Sequence, residues 1–271
     1  MRYIAYFVFL LFCLPLKAQN GLPSSAGAKG VAMNDATITF QDIYGGLSNP
    51  AALSYLEQLN FALAGQQRFA LANLNDLSLI AALPTNSGTF GLSINYFGFD
   101  AYNEQKIGLS YSRKLFKKIA IGVQFDYLNT QITDYGNKGI FTFAAGLQAQ
   151  LSKSIRLGVA VYNPIEIEIV AGETLPTLLN IGLSYQPSSK IMLAAEVKKD
   201  IDLPTRLVLG IDYQLLNQLA LRFGVGTAPV NYSFGIGLKL EQFTIDIASK
   251  YHQVLGFTPA FSLSYGLNSK Q

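Results

Sequence analysis

The chain has 271 residues, half of them hydrophobic and only 14% charged, with a formal net charge of +3. A soluble domain carries about a quarter charged residues, so a chain this apolar must hide surface somewhere other than a single water-bounded core. The near balance of charge excludes an electrostatic surface for nucleic acid.

Met1-Arg2-Tyr3 supplies one positive charge, and an apolar run from Tyr3 to Leu16 stops at Lys17-Ala18-Gln19. The run is too short to cross a bilayer as a helix and ends at a small residue, so residues 1–18 are expected to be a secretory signal peptide cleaved after Ala18. The sole cysteine, Cys13, lies inside it behind the bulky Phe12, which argues against a lipoprotein signal. The mature chain then has no thiol, which removes disulfides, zinc-thiolate sites and cysteine nucleophiles together. Loss of Arg2 and Lys17 brings the net charge to about +1.

Residues 19–57 do not alternate. Small residues dominate from Ser24 to Gly30, an extended piece is expected near Ala36 to Phe40, and Tyr44 to Leu53 is turn-prone around Asn49-Pro50. Small residues let backbone approach backbone, as a hatch folded into a narrow lumen requires, and Pro50 biases Asn49 away from helix.

From residue 58 to 271 the sequence breaks into about fourteen segments of period-two alternation separated by turn residues. Phe141, Phe143, Ala145, Leu147 and Ala149 share one face, with Thr142, Ala144, Gly146 and Gln148 on the other; Tyr232, Phe234, Ile236 and Leu238 oppose Ser233, Gly235 and Gly237. Large apolar side chains on one face and small or polar ones on the other fit a strand whose outside is lipid. The expected fold is therefore all-β, a transmembrane antiparallel barrel with an N-terminal hatch. Tight links such as Phe116-Lys117-Lys118 and Glu241-Gln242 alternate with longer ones, clearest at Asp134 to Gly139 and Pro164 to Pro176, which puts the N-terminus in the periplasm. Tyr111, Tyr185, Tyr213 and Tyr265 then mark the periplasmic interface, and Tyr96, Tyr127 and Tyr251 the outer one.

By parity Asp126, Arg156, Glu196, Lys198, Arg206, Asp212, Arg222, Lys239, Asp246 and Lys250 point inward. They form either mixed-sign ladders that anchor the hatch or a polar path for a solute; on the lipid face each would cost about 2–4 kcal/mol. Ile80, Leu128, Met192 and Val208 also point inward, for hatch packing or as a greasy route. Ile165 to Val170 alternates strictly and reads either as a strand extension offering an edge or as a loop hairpin. The one histidine, His252, shares a face with Asp246 and Lys250, but no motif places a nucleophile beside it. One His without Cys does not make a familiar transition-metal shell. Gly224-Val225-Gly226 and Gly235-Ile236-Gly237 are followed by no helix and are not phosphate loops. Neither an enzyme nor a cofactor is expected.

The run Gly27-Ala28-Lys29-Gly30-Val31-Ala32-Met33, followed by Asn49-Pro50-Ala51-Ala52-Leu53, resembles the N-terminal signature of FadL-like outer-membrane proteins, especially the PorV/PorQ group of Bacteroidetes. The resemblance implies a Gram-negative cell outer membrane and a hatch motif of Gly27, Gly30, Met33, Asn49, Pro50 and Ala51, the last three closing the hatch just below the first strand. It also implies a non-enzymatic role in protein secretion and surface export, with type IX secretion-system proteins as partners alongside outer-membrane lipid. The alternative that the wider family implies is passive transport of a hydrophobic ligand, with a pocket between hatch and wall and a lateral opening; Pro229 and Pro259 are the places for a kinked strand. The chain departs from the pattern with Lys29 where Arg is usual, Asn34-Asp35 where a Gly pair is common, and compact loops.

Overall fold

Lipid offers no hydrogen bonds to an open strand edge, so strands with an apolar outer face must close on themselves. The computed structural model describes residues 25–170 and 173–267; the expected signal peptide lies outside them. Fourteen antiparallel strands form one closed barrel. β1 (Leu59–Gln67), β2 (Asn75–Thr85), β3 (Gly88–Phe99), β4 (Tyr102–Phe116), β5 (Ile119–Ile132), β6 (Gly136–Gln150) and β7 (Ile155–Tyr162) follow one another around the wall. β8 (Glu168–Val170) and β9 (Glu173–Thr174) form a separate hairpin. The wall continues with β10 (Leu178–Ser188), β11 (Ile191–Asp200), β12 (Arg206–Gln214), β13 (Leu219–Gly226), β14 (Asn231–Leu240), β15 (Phe243–His252) and β16 (Gly256–Leu267). β16 closes the barrel on β1, from Leu59 opposite Leu267 to Gln66 opposite Ala260.

The inverted alternation is borne out strand by strand. In β14, Tyr232, Phe234, Ile236 and Leu238 are exposed to the surroundings, while Asn231 and Ser233 are buried in the lumen. The parity of the outward face changes between strands, as turns of odd and even length require: even-numbered in β3 (Phe90, Leu92, Ile94), odd-numbered in β5 (Ile121, Val123, Phe125). Aromatic pairs gather at both ends of the wall. Phe90–Tyr111 and Phe243–Tyr265 stack at 5.1 and 4.7 Å at the end where β1 begins and β16 ends, and Tyr127–Phe141 and Tyr251–Phe257 at 5.0 and 4.8 Å at the other. Tyr185 and Tyr213 lie at the first of these ends, opposite Leu193 and Ile191.

The inner links are tight, but the outer ones differ from the expectation in two places. Residues 134–139 do not form a loop: Asn137, Lys138 and Gly139 continue β6 opposite Gln131, Thr130 and Asn129, leaving a turn of Thr133–Tyr135. Two strands that project past the lipid keep pairing even where their side chains are polar, so alternation of polarity ends before the ladder does. Gly139 serves this extension, because a Cβ there would come within 2.4 Å of the Tyr127 hydroxyl. The link from β3 to β4 is only Asp100-Ala101. The length asymmetry rests mainly on residues 163–177, and there the loop-hairpin reading holds: β7 ends at Tyr162, and Glu168–Val170 pairs with Glu173–Thr174. Ile169 and Leu175 are buried against Leu128, Ile140 and Tyr162, so the hairpin folds onto the barrel mouth.

Phe125 is 67% exposed in the middle of β5. Phe125→Lys is expected to destabilise the barrel in liposomes by about 2–4 kcal/mol, measured by urea unfolding, whereas Gln131→Lys on the same face near the strand end costs little.

Candidate functional site: a plug between two vestibules

Residues 25–58 fill the middle of the lumen. Helix α1 (Gly27–Ala32) lies against β13–β16, and a 3-10 turn over Pro50–Tyr55 lies against β3–β6. The segment from Ala36 to Phe40, expected to be extended, forms no strand; it crosses the lumen as irregular chain, held by the wall and not by a sheet of its own. At the end of α1 the chain reverses through Asn34 and Asp35, both with positive φ (56° and 63°). Asn and Asp are the non-glycine residues that best tolerate this conformation, which explains how they stand where a Gly pair is common.

The plug seats by backbone contact with glycines of the wall. Gly122 and Gly146 are cross-strand partners; a Cβ at the first would fall 2.4 Å from the Pro50 carbonyl carbon, and at the second 2.0 Å from Asn49 Oδ1. Gly158 and Gly182, paired across β7 and β10, accept Ile38, whose carbonyl oxygen would be 2.5 Å from a Cβ at Gly158. Gly210 and Gly224, paired across β12 and β13, accept Met33 and Asn34. Met33 is thus a wall contact, Gly27 takes the Tyr44 ring across its face, and Gly30 lets Thr37 pack on α1. Asn49, Pro50 and Ala51 were expected just below the first strand. They stand instead against β5 and β6, because that is where the wall has paired glycines to receive them.

Polar side chains of the wall then satisfy the plug's irregular backbone. Glu196 accepts from the Thr37 and Ile38 amides at 2.8 and 3.0 Å. Gln148 donates to the Ile38 and Phe40 carbonyls at 2.9 and 2.8 Å. Asn49 works in the other direction, donating to the Ile38 carbonyl within the plug and to the Leu147 carbonyl of β6, both at 3.1 Å, while its Oδ1 accepts from the Ala51 amide. Arg206 bridges Asn34 and Asn231 at 2.5 and 3.0 Å, and Ser233 donates to the Ala32 carbonyl at 2.8 Å. Arg156 reaches the Thr39 carbonyl at 3.4 Å and Gln186 at 2.6 Å.

Charge is paired rather than laid out as a path. Arg222 holds Asp212 at 3.0 Å and Asp246 at 2.5 Å. Lys250 pairs with Asp35 of the plug, and Lys29 with Asp42 at 2.7 Å within it. Asp126 is buried beside Gln124, 2.8 Å away. His252 caps the β15–β16 turn, its Nδ1 accepting from the Val254 and Leu255 amides at 3.2 Å. The inward list read from parity missed Lys29, Asp35 and Asp42, because parity has no meaning in a segment that is not a strand.

Two cavities flank the plug. The outer one, about 660 Å³, is lined by plug residues Asp35, Thr37 and Ser48 and by Lys106, Asp126, Tyr162 and Leu178 of the wall. The inner one, about 320 Å³, lies under Phe40, Gln41 and Asp42 beside Arg156 and Asp212. Part of the outer cavity's lining is apolar, from Leu47 of the plug and Ala144, Ala160, Val161, Tyr162 and Leu178 of the wall, and Tyr162 also joins Leu128 and Ile140 in a cluster packed against Ile169 and Leu175 of the hairpin loop. The inward apolar residues thus divide. Ile80 packs on the plug residues Ile43, Tyr44 and Leu53, and Met192 and Val208 on Met33 and Phe40, but Leu128 packs under the hairpin loop with Ile169 and Leu175. Among the described residues every neighbouring pair of barrel strands is hydrogen-bonded, so the wall has no lateral gap. Pro229 lies in the β13–β14 turn and Pro259 near the start of β16, opposite Ser249.

Fold and plug together define a closed outer-membrane barrel with an occluded lumen. The CymD monoaromatic hydrocarbon channel superposes with a TM-score of 0.74 at 13% identity, over 94% of this chain and 100% of that one. The toluene transporter TbuX of Ralstonia pickettii gives 0.70 at 12%, over 91% and 99%, and a FadL homologue of Pseudomonas aeruginosa 0.62 at 15%, over 91% and 99%. Comparison with protein-family models and with curated proteins gives no match. At these identities the likeness establishes the fold, that of FadL-type outer-membrane channels.

Gly122→Leu or Gly224→Leu is expected to unseat the plug while the barrel persists. The check is raised ion conductance in planar bilayers with unchanged heat-modifiable migration on gels; unchanged conductance would refute the seating role. Burial opposes the charge on Asp42, but Lys29 outweighs it and holds the carboxyl below its ordinary value; Asp35 is likewise held low, against burial, by Lys250 and Lys198. Lys29, also opposed by burial, is raised by Asp42. A lowered carboxylate stabilises fully above its unfolded pKa and loses that as pH falls through the folded value, whereas a raised lysine loses its share as pH climbs past its own. The plug is therefore expected to stay seated from about pH 4 to about pH 10. Conductance that rises already between about pH 7 and about pH 5 would contradict the pairing.

Proposed function

We propose that the protein is a passive outer-membrane channel for small hydrophobic molecules, gated by the plug. The observation that carries this reading is the outer cavity, whose volume of about 660 Å³ suits a small organic ligand and whose lining includes Leu47 of the plug and Ala144, Ala160, Val161, Tyr162 and Leu178 of the wall, an apolar surface for it. The structures it resembles include a monoaromatic hydrocarbon channel and a toluene transporter, which supports transport over the secretion-associated role suggested by the hatch motif. In this reading the plug residues are non-enzymatic: they seal the barrel against water and ions and yield to a ligand bound above them. Outer-membrane residence follows from the same reading, with a hydrophobic solute as the partner.

Liposome assays test it. The full-length protein is expected to admit a small aromatic probe and exclude a sugar of similar size, and deletion of residues 19–57 to admit both. Exclusion of the aromatic probe by both proteins, with folded barrels confirmed by heat-modifiable migration, would end the transport reading.

A further inference from the structure

The two rims of the barrel differ in charge. At the end where β1 begins and β16 ends, three neighbouring turns and the strand ends beside them carry Arg113, Lys114, Lys117 and Lys118 (β4–β5), Lys153 (β6–β7) and Lys190 (β10–β11), all exposed. Among the described residues these turns contain no acid; the acids at this end, Glu57 and Glu241, lie before β1 and between β14 and β15. The opposite rim reverses the sign, with Asp100, Asp134, Glu166, Glu168 and Asp202 exposed on its links. Solvation alone would be served equally well by mixed charges at both ends.

A second feature accompanies the basic arc. Leu115, Phe116 and Leu151 stand in or beside the same turns, and Phe116 is 71% exposed. Arg113 pairs with Ile121 and so shares the outward face with Leu109 and Tyr111, just beyond the aromatic level. Lys114 turns the other way, over the Tyr55 ring of the plug at 4.7 Å. Basic side chains with apolar stems, interleaved with exposed Leu and Phe at the edge of a lipid-facing wall, fit the boundary between acyl chains and headgroups. There the cations can reach phosphate while the apolar groups stay in hydrocarbon.

We propose that this arc, from the β4–β5 turn to the β10–β11 turn, is a docking surface for anionic phospholipid headgroups of the leaflet it faces. An acidic soluble protein would answer the charge but not the exposed Leu115, Phe116 and Leu151 between the cations. The surface sorts lipid around one side of the barrel only, because the β12–β13 turn, Leu215-Leu216-Asn217-Gln218, carries no charge and at the β14–β15 turn the exposed Lys239 is offset by Glu241.

The test reconstitutes the full-length protein in nanodiscs of mixed phosphatidylglycerol and phosphatidylcholine, and reads the lipids retained by native mass spectrometry. Phosphatidylglycerol is expected to be enriched, with its retention falling about fivefold for each basic residue removed in Lys117→Gln, Lys118→Gln and Lys153→Gln, singly and combined. Added salt should weaken the enrichment, and Lys138→Gln at the opposite rim should leave it unchanged. These turns lie outside the barrel ladder, and unaltered heat-modifiable migration verifies folding. Absence of enrichment in the wild type, or enrichment that the triple substitution does not reduce, overturns the proposal; in the second case the arc is left to an acidic protein partner.

Discussion

The structure depends on backbone meeting backbone inside the barrel. A fourteen-stranded wall encloses more space than its own short side chains fill, and here that space is taken by about thirty residues of short helical turns joined by irregular chain. Three cross-strand glycine pairs, Gly122/Gly146, Gly158/Gly182 and Gly210/Gly224, set three of the places where this segment touches the wall. A side chain at any of them would collide with the plug, with its backbone or Asn49 at Gly122, Gly146, Gly158 and Gly224 and with the Ile38 or Met33 side chain at Gly182 and Gly210. Packing here is close in the way interiors generally are, but what is packed is main chain, and this makes the seat specific.

Main chain at the contact brings its own demand, because each buried amide and carbonyl needs a partner. The wall supplies them from short distances with side chains that would otherwise be anomalous in a strand: Glu196 for two amides, Gln148 for two carbonyls, Ser233 for the end of α1. The same logic explains why the lumen charges are paired. With Asp212 and Asp246 both on one guanidinium, loss of Arg222 would leave two buried carboxylates unmatched, a change that costs about 3–5 kcal/mol in comparable sites.

The wall was legible in the sequence and the seat only partly so. Alternation in β6 and β14 gave the fold class and the lipid-facing side directly, since lipid reverses the usual polarity of a strand. It ran out at residues 134–139, where polar composition looks like a loop but the ladder continues. The hatch motif pointed to Asn49, Pro50 and Ala51 but not to their place, because a motif carries no register and only the wall glycines decide where it lands. Lys29, Asp35 and Asp42 lay beyond any periodic argument. Their one sequence signal was charge within a segment otherwise rich in small residues, which already implies that each needs a partner inside the lumen.

The closed wall also bears on how such a barrel opens. A molecule in the outer cavity meets the plug below and continuous β-ladder on every side. Parting two strands would expose backbone amides and carbonyls to hydrocarbon, where nothing replaces their lost bonds and each costs several kcal/mol. Displacing the plug breaks bonds of the same kind, such as those of Thr37 and Ile38 to Glu196, but breaks them into a lumen with water-sized space on both sides. There the exchange of a protein partner for water costs only about 0.5–1.5 kcal/mol per neutral bond and about 1.5–3 for one to a charged group. Movement of the plug is therefore the cheaper route, and at the paired glycines that fix its resting place the wall puts no side chain in its way; the packing of Ile80 on Ile43, Tyr44 and Leu53, and of Met192 and Val208 on Met33 and Phe40, is what it must still give up.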